Sequence, residues 1–224
     1  MKKSLLIWGK NKKRKASDDT DEDDNKTTMK QLSLLLGSSG LNNSISINFN
    51  HIYFNNDITI ESAFELNNEL RAVENKIKVL SITLNIPLQP IYLHLTTDGG
   101  LIYSAFSVID CIKSLSVPVH TIIDGFVASA GTLISLAGEK RYMNKNAYML
   151  IHELRGGVWG KMSEIEDEFK NLKKTMEHLI KIYVENTKIS KKELEKMLKK
   201  DIAWDLKECI KYGLVHEEYK HQSI

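Results

Sequence analysis

The stretch Asp124-Gly125-Phe126-Val127-Ala128-Ser129-Ala130-Gly131 constrains this chain more than any other. Before it, residues 117–123 are rich in β-branched side chains and read as a buried strand. After it, Thr132-Leu133-Ile134-Ser135-Leu136-Ala137 reads as a buried helix. The order is strand, small-residue turn over 124–131, helix, with Ser129 where the helix starts. That place suits a nucleophile, because the first N–H groups of a helix lack internal partners and its dipole favours negative charge. The small neighbours Ala128, Ala130 and Gly131 would admit a substrate backbone at close range. The plainer reading is a helix start packed tightly on a sheet, and the stretch taken alone leaves both open.

The remainder of the chain supplies the sheet that such a turn needs. Ile45, Ile47 and Phe49 alternate with polar residues, and His51-Ile52-Tyr53-Phe54 follows, so short strands are expected here. Residues 57–80 carry a helical stripe of Ile60, Ala63, Phe64, Leu66, Leu70, Val73, Ile77 and Leu80, with a cap at Thr59. Pro87 and Pro90 close the loop before a strand at 91–95, a turn at Thr96-Thr97-Asp98-Gly99-Gly100, and a helix over 101–115. Another apolar strand, 147–151, ends at His152, and Gly156 to Gly160 reads as a flexible extended piece. Strand and helix alternating at these spacings predict an α/β fold with a parallel sheet core.

A long helix is expected from about Ser163 to Thr187, with a capping pattern at Ser163 and Glu166. Its apolar positions, Ile165, Phe169, Leu172, Met176, Leu179 and Tyr183, form a narrow seam three and four apart. Such a seam packs either on its own domain or on a neighbouring subunit, as a projecting helix would. A helix over 190–198 follows, then Asp201 in a loop, then 207–212 leading into Gly213.

The ends differ in kind. Residues 1–43 are expected to be a charged, disordered tail: a basic block at 10–15 precedes an acidic block at 18–24, and residues 31–36 read as one short helical turn. Such a tail serves either as a docking arm or as a solvated extension. The folded domain is expected over 44–218, and 219–224 as a second tail. Met1 to Trp8 imitates the start of a signal peptide, but the apolar run is too short, and no run reaches membrane-spanning length. A net charge of +2 over 224 residues gives no reason to expect nucleic acid as a partner. Cys111 and Cys209 make neither a metal spacing nor a disulfide framework, which fits a reducing, cytoplasmic setting.

A hydroxyl nucleophile needs a base, a group to orient that base, and donors for the oxyanion. Of the seven histidines, His152 is the best base, because it ends a buried strand at the sheet edge where α/β sites gather. His94 and His120 lie within strands and His178 on a charged helix, where histidines are more often structural. No second histidine follows His152-Glu153 at zinc-protease spacing. Gly99-Gly100 and Ala130 offer backbone N–H groups. Together these features specify an acyl-transfer site, although the acid that orients His152 is not singled out by its own sequence context.

From roughly Asn48 to Val215 the chain resembles the proteolytic subunit of the Clp protease, a family of serine peptidases. Thr97-Asp98-Gly99-Gly100 resembles the family's Ser-Pro-Gly-Gly, and Gly125 to Gly131 its Gly-x-x-Ala-Ser-x-Gly. Leu150-Ile151-His152 with Gly156-Gly157 resembles its Met-Ile-His and Gly-Gly segment. Lys200-Asp201 with Tyr212-Gly213-Leu214-Val215 resembles its closing motifs. The resemblance implies Ser129 as nucleophile, His152 as base, Asp201 as orienting carboxylate, and Gly100 and Ala130 as oxyanion donors. It also implies a crotonase-like fold, seven-membered rings stacked in pairs through a handle formed by residues 156–187, and protein substrates. No metal or cofactor is expected in this chain; ATP would be used only by a partner AAA+ unfoldase.

Three departures stand out. Asp98 replaces the family's proline, Glu153-Leu154 replace its Gln-Pro, and the region before Asn48 does not resemble its amino-terminal loops. A phage-type head-maturation or signal-peptide-peptidase-like protease acting without an ATPase is therefore an alternative. A non-catalytic ring subunit and an acyl-CoA-binding crotonase are the others; the full Ser129, His152 and Asp201 set argues against both.

Overall fold

The computed structural model describes Ile7–Trp8 and residues 45–220. The charge blocks and the short helical turn expected at 31–36 lie outside the described residues, as do residues 221–224. Ten strands are assigned in chain order. The first five are β1 (Ile7–Trp8), β2 (Ile45–Asn48), β3 (His51–Asn55), β4 (Ile91–Thr97) and β5 (Gly100–Leu101). The others are β6 (Val119–Ala128), β7 (Lys140–Met143), β8 (Tyr148–Leu150), β9 (Ala203–Trp204) and β10 (Glu217–Glu218). The main sheet runs β10-β7-β6-β4-β3-β2. Its strands are parallel except for the β2–β3 hairpin, whose turn places Phe49 at a positive φ of 56°. Phe49 therefore does not continue the strand alternation into the core; it is exposed at the hairpin.

Strand β6 organises the molecule. It runs for ten residues, so the stretch 124–128, expected to be part of a turn, is strand instead, and only Ser129 makes the turn. Its first half pairs with β7, from His120↔Lys140 to Ile123↔Met143. Its second half pairs with β8, from Phe126↔Tyr148 to Ala128↔Leu150. One strand thus forks between two partners, and β9 pairs antiparallel with the outer edge of β8. Ile91, Leu93 and Leu95 of β4 and Ile122, Ile123 and Val127 of β6 have no exposed surface, as expected for central parallel strands covered on both sides.

Among the described residues six helices complete the fold: α1 (Ile60–Leu84), α2 (Ile102–Ser114), α3 (Ala130–Leu136), α4 (Met162–Asn186), α5 (Lys191–Met197) and α6 (Leu206–Tyr212). Thr59 caps α1 as expected: its hydroxyl accepts from the Ser62 N–H at 3.1 Å, and Ser62 Oγ accepts from the Thr59 N–H at 2.9 Å. The buried stripe is Ala63, Leu66, Leu70, Val73 and Ile77, whereas Ile60 and Phe64, expected on that stripe, are 66% and 68% exposed. Apolar character alone does not tell the core face from an apolar outer face. Every residue of α3 is buried, and Gly131 explains how it comes so close to the sheet. A Cβ there would stand 2.3 Å from Thr97 Cγ2 on β4.

The long helix α4 starts at Met162, one residue before the expected cap. Glu164 accepts from the Lys161 N–H at 2.9 Å, so the first turn is closed by that pair and not by Ser163 with Glu166. The apolar seam divides along its length. Leu179 and Tyr183 are fully buried, Leu172 and Met176 pack against the core, and Ile165 and Phe169 stand exposed with Met162 and Trp159. The helix is therefore a core helix at its C-terminal end and projects at its N-terminal end. Chemical denaturation at concentrations where the chain is a single subunit should separate the two halves. Leu179→Ala should cost about 2–5 kcal/mol, and Phe169→Ala should stay within about 0.5 kcal/mol. Equal losses would mean that the whole helix packs on its own domain.

Candidate active site

The fork in β6 decides which residues meet at the sheet edge. Because β6 and β8 run parallel with Ala128 opposite Leu150, the residues that leave them, Ser129 and Ile151-His152, emerge side by side. The Ser129 N–H donates to the Leu150 carbonyl at 2.8 Å, which ties the two strand ends together. Ser129 then turns the chain into α3 at φ 59° and ψ −129°, a conformation that costs a residue with a Cβ energy and persists only where surroundings enforce it.

Those surroundings are a hydrogen-bond chain from α4. Tyr183 reaches across to Thr132, and the Thr132 hydroxyl donates to the Ser129 carbonyl at 2.6 Å. Since the Thr132 proton is committed to that carbonyl, the Tyr183 O–H is the donor in the first link. Full burial pushes the Tyr183 phenol far above its ordinary value, so it holds its proton. Sequence reasoning placed Tyr183 in the helical seam and missed this role. The hint available was a tyrosine, with a polar end to satisfy, closing an otherwise wholly apolar stripe.

The third side of the site is the loop after β4. The Gly99 N–H donates to Thr97 Oγ1 at 3.1 Å. Two bonds to residue 58, Ile58 N–H to the Gly99 carbonyl at 2.8 Å and Leu101 N–H to the Ile58 carbonyl at 2.7 Å, clamp the loop. Gly99 has φ 99°, and a Cβ on it would lie 2.5 Å from Ser129 Cβ, so a side chain at 99 would collide with Ser129 itself. Gly99 thus comes up against Ser129 from the β4–β5 loop, with Gly100 next to it in the chain, while Ala130 follows Ser129 as the first residue of α3. The short strand β5 pairs antiparallel with β1, Trp8 opposite Gly100 and Ile7 opposite Leu101. Asp98 is exposed on the rim of a groove of about 270 Å³ whose lining also includes Asp57, Asn55 and Phe126.

His152 is buried. Its Nδ1 bonds to the Glu153 carbonyl at 2.8 Å, which requires the proton on Nδ1 and makes Nε2 the basic nitrogen of the neutral ring. Burial lowers its proton affinity and the Glu153 bond raises it; the Arg155 charge lowers it and the Asp201 charge raises it, with a net downward result. Asp201 follows α5 in a loop, as expected, but its partner here is Arg155, with Nη2 and Oδ2 2.6 Å apart. The sheet therefore sets Ser129 beside the strand end that leads to His152. Asp201 stands close enough to act on His152 electrostatically, while a backbone carbonyl orients the ring. Arg155 was not singled out from the sequence; a lone arginine beside two glycines gave no signal.

The histidines set aside as structural sit elsewhere. His94 is buried within β4, where its Nδ1 lies 2.9 Å from both Asp124 carboxylate oxygens and its Nε2 2.9 Å from His51 Nδ1. His120 is buried in β6, and His178 stacks edge-on against Phe106. Among the described residues no group of histidine, cysteine and carboxylate side chains could hold a metal ion.

The Clp protease family profile matches residues 43–222. Proteolytic subunit 2 of the ATP-dependent Clp protease of Treponema denticola is 33% identical over 171 residues, 75% of this chain and 85% of that protein. Proteolytic subunit 1 from Chlamydia muridarum is 30% identical over 168 residues, 73% of this chain and 83% of that protein. A point mutant of ClpP1 from Listeria monocytogenes superposes with a TM-score of 0.66 at 26% identity, over 78% of this chain and 93% of that one. The match covers the sheet, the fork and the long helix.

Removing the Tyr183 hydroxyl tests the support of the strained turn. Tyr183→Phe deprives Thr132 of its donor and should cost about 1 kcal/mol. For a chain of this size that lowers Tm by roughly 2–4 °C in a thermal melt. An unchanged Tm would show that the chain from α4 contributes nothing to holding Ser129.

Proposed function

We propose, from the premise that this chain belongs to the Clp protease family and is a serine-type endopeptidase, that Ser129, His152 and Asp201 perform its chemistry. The observation that carries this assignment is the parallel register of β6 and β8, which sets the residues after Ala128 and Leu150 together at the sheet edge. Ser129 Oγ attacks a peptide carbonyl while its proton passes to His152 Nε2. The oxygen that gains charge lies toward the N–H groups of Gly100 and Ala130. The imidazolium then gives its proton to the departing amine, and water repeats the sequence on the acyl-enzyme. Asp201 is assigned as the carboxylate that steadies the imidazolium. None of these steps calls for a metal or cofactor in this chain.

Peptide substrates fit the strand edge beside Ser129. The pairing of β5 with Ile7–Trp8 supports an extended segment lying antiparallel along Gly100–Leu101. Assembly is supported by the large apolar side chains left outside. Trp159 at 99% and Phe169 at 67% exposure crown the projecting end of α4, and Ile60, Phe64, Val79 and Ile82 cover the outside of α1. We assign these surfaces to seven-membered rings stacked in pairs, with the projecting helices interleaved between rings. A AAA+ unfoldase using ATP would deliver unfolded protein to the enclosed chamber; the names of the relatives describe proteolytic subunits of an ATP-dependent protease. A cytoplasmic setting is proposed. Both cysteines are buried and unpaired, and no helix among the described residues is long and apolar enough to cross a membrane.

Hydrolysis of a fluorogenic peptide by the assembled protein tests the assignment. Ser129→Ala should lower kcat by more than about 10³-fold, the loss typical of removing such a nucleophile. A variant that retains the parental rate would remove Ser129 from the mechanism. The pH profile adds a second check. His152 must be neutral to accept a proton, and its burial extends the neutral form to lower pH. The acid limb of kcat/KM should therefore have its midpoint below the ordinary histidine value of about 6.5. A midpoint above it would contradict a buried base.

A further inference from the structure

His152 and Arg155 ride on the same stretch of chain, the segment that leaves β8 and runs without regular structure to α4. It is fixed near its start by the Glu153 N–H, which donates to the Leu198 carbonyl at 2.8 Å. Two residues later the Arg155 guanidinium reaches the turn after α5 and binds Asp201 Oδ2 at 2.6 Å. In the same conformation His152 Nδ1 donates to the Glu153 carbonyl at 2.8 Å. The two facts are linked. A neutral carbonyl fixes the tautomer that the base needs, but it steadies the developing imidazolium less than a carboxylate does. The carboxylate that would do so is occupied by a permanent cation three residues along the chain from its intended partner.

We propose that Arg155 is a positioning residue acting through Asp201. It competes with His152 for the carboxylate and holds the subunit in a low-activity arrangement until the Arg155–Asp201 pair opens. The inference rests on the peptidase assignment of Ser129 and His152. Its energy scale is small enough to be switched, since both side chains are about half exposed, 44% and 54%, and ion pairs so placed are weak. When the pair opens, rotation of Asp201 toward His152 Nδ1 replaces the Glu153 carbonyl as acceptor. Among the described residues, the charged groups that bear on His152 are Arg155, Asp201 and Glu153, on this segment or on the turn after α5.

The experiment uses the full chain and two readouts. The first is the second-order rate of Ser129 labelling by a fluorophosphonate in the parent, Arg155→Met, Asp201→Asn and the double variant. Arg155→Met should label at least about five times faster than the parent, and Arg155→Lys should return toward the parental rate. Asp201→Asn should slow the Arg155→Met protein by a larger factor than it slows the parent, the non-additivity expected of residues sharing one partner. Slower labelling in Arg155→Met, or effects that simply multiply, would overturn the proposal. The second readout does not depend on catalysis: the pH midpoint of His152 carbethoxylation, followed on the His152 peptide by mass spectrometry. Arg155→Met should move that midpoint upward, and Asp201→Asn should abolish the move. An upward move that survives in the double variant would reflect loss of the guanidinium charge alone and would also overturn the proposal. If no variant labels but the Asp201-dependent midpoint move is present, the competition stands and the peptidase assignment falls.

Discussion

The forked pairing of β6 is the constraint on which the rest depends. A ten-residue strand cannot keep one neighbour along its whole length when that neighbour, β7, has only four residues. The vacant half of its edge is filled by β8, which arrives from the next stretch of chain in the same direction. The consequence is chemical. Two strand ends finish level with one another, one leading into a helix start and the other into a histidine. Ser129 and the Ile151-His152 step therefore leave the sheet from neighbouring strand ends. Groups placed by sheet register in this way inherit the rigidity of the core.

That rigidity supports a strained backbone at Ser129, and the support comes from far along the chain. The Tyr183–Thr132–Ser129 hydrogen bonds connect the core end of α4 to the turn, while Gly131 and Gly99 let α3 and the β4–β5 loop close in from either side. The same helix whose exposed end we assign to contacts between subunits is therefore linked through Thr132 to the Ser129 turn at its buried end. His152, which we assign as the base, is supported differently: it lies on an irregular segment whose Arg155 binds Asp201, and we propose this as the adjustable part of the site.

Much of this was legible in the amino-acid sequence. The β-branched run before Asp124, the small residues around Ser129 and the apolar run ending at His152 located two strand ends, because burial on both faces leaves an unmistakable apolar pattern. Asp201 came only from family resemblance, since an acid in a polar loop has no local mark. Four features escaped. The strand continues through Asp124 and Gly125, residues that disfavour strands and that fall where the pairing with β4 shifts register, because the pairs on either side, Leu95↔Ile123 and Thr97↔Val127, override local preference. Ile60 and Phe64 proved to be outside, since an apolar residue on a helix does not declare whether it meets its own core or another chain. The relay from Tyr183 and the Arg155–Asp201 pair join residues 51 and 46 positions apart, distances at which sequence alone shows no contact.

The most direct test of the account is covalent labelling of the purified full-length protein with a fluorophosphonate, with the modified residue identified by mass spectrometry. The account predicts a single adduct on Ser129, lost in Ser129→Ala and strongly slowed in His152→Ala. An adduct on another serine, or labelling untouched by removal of His152, would contradict it.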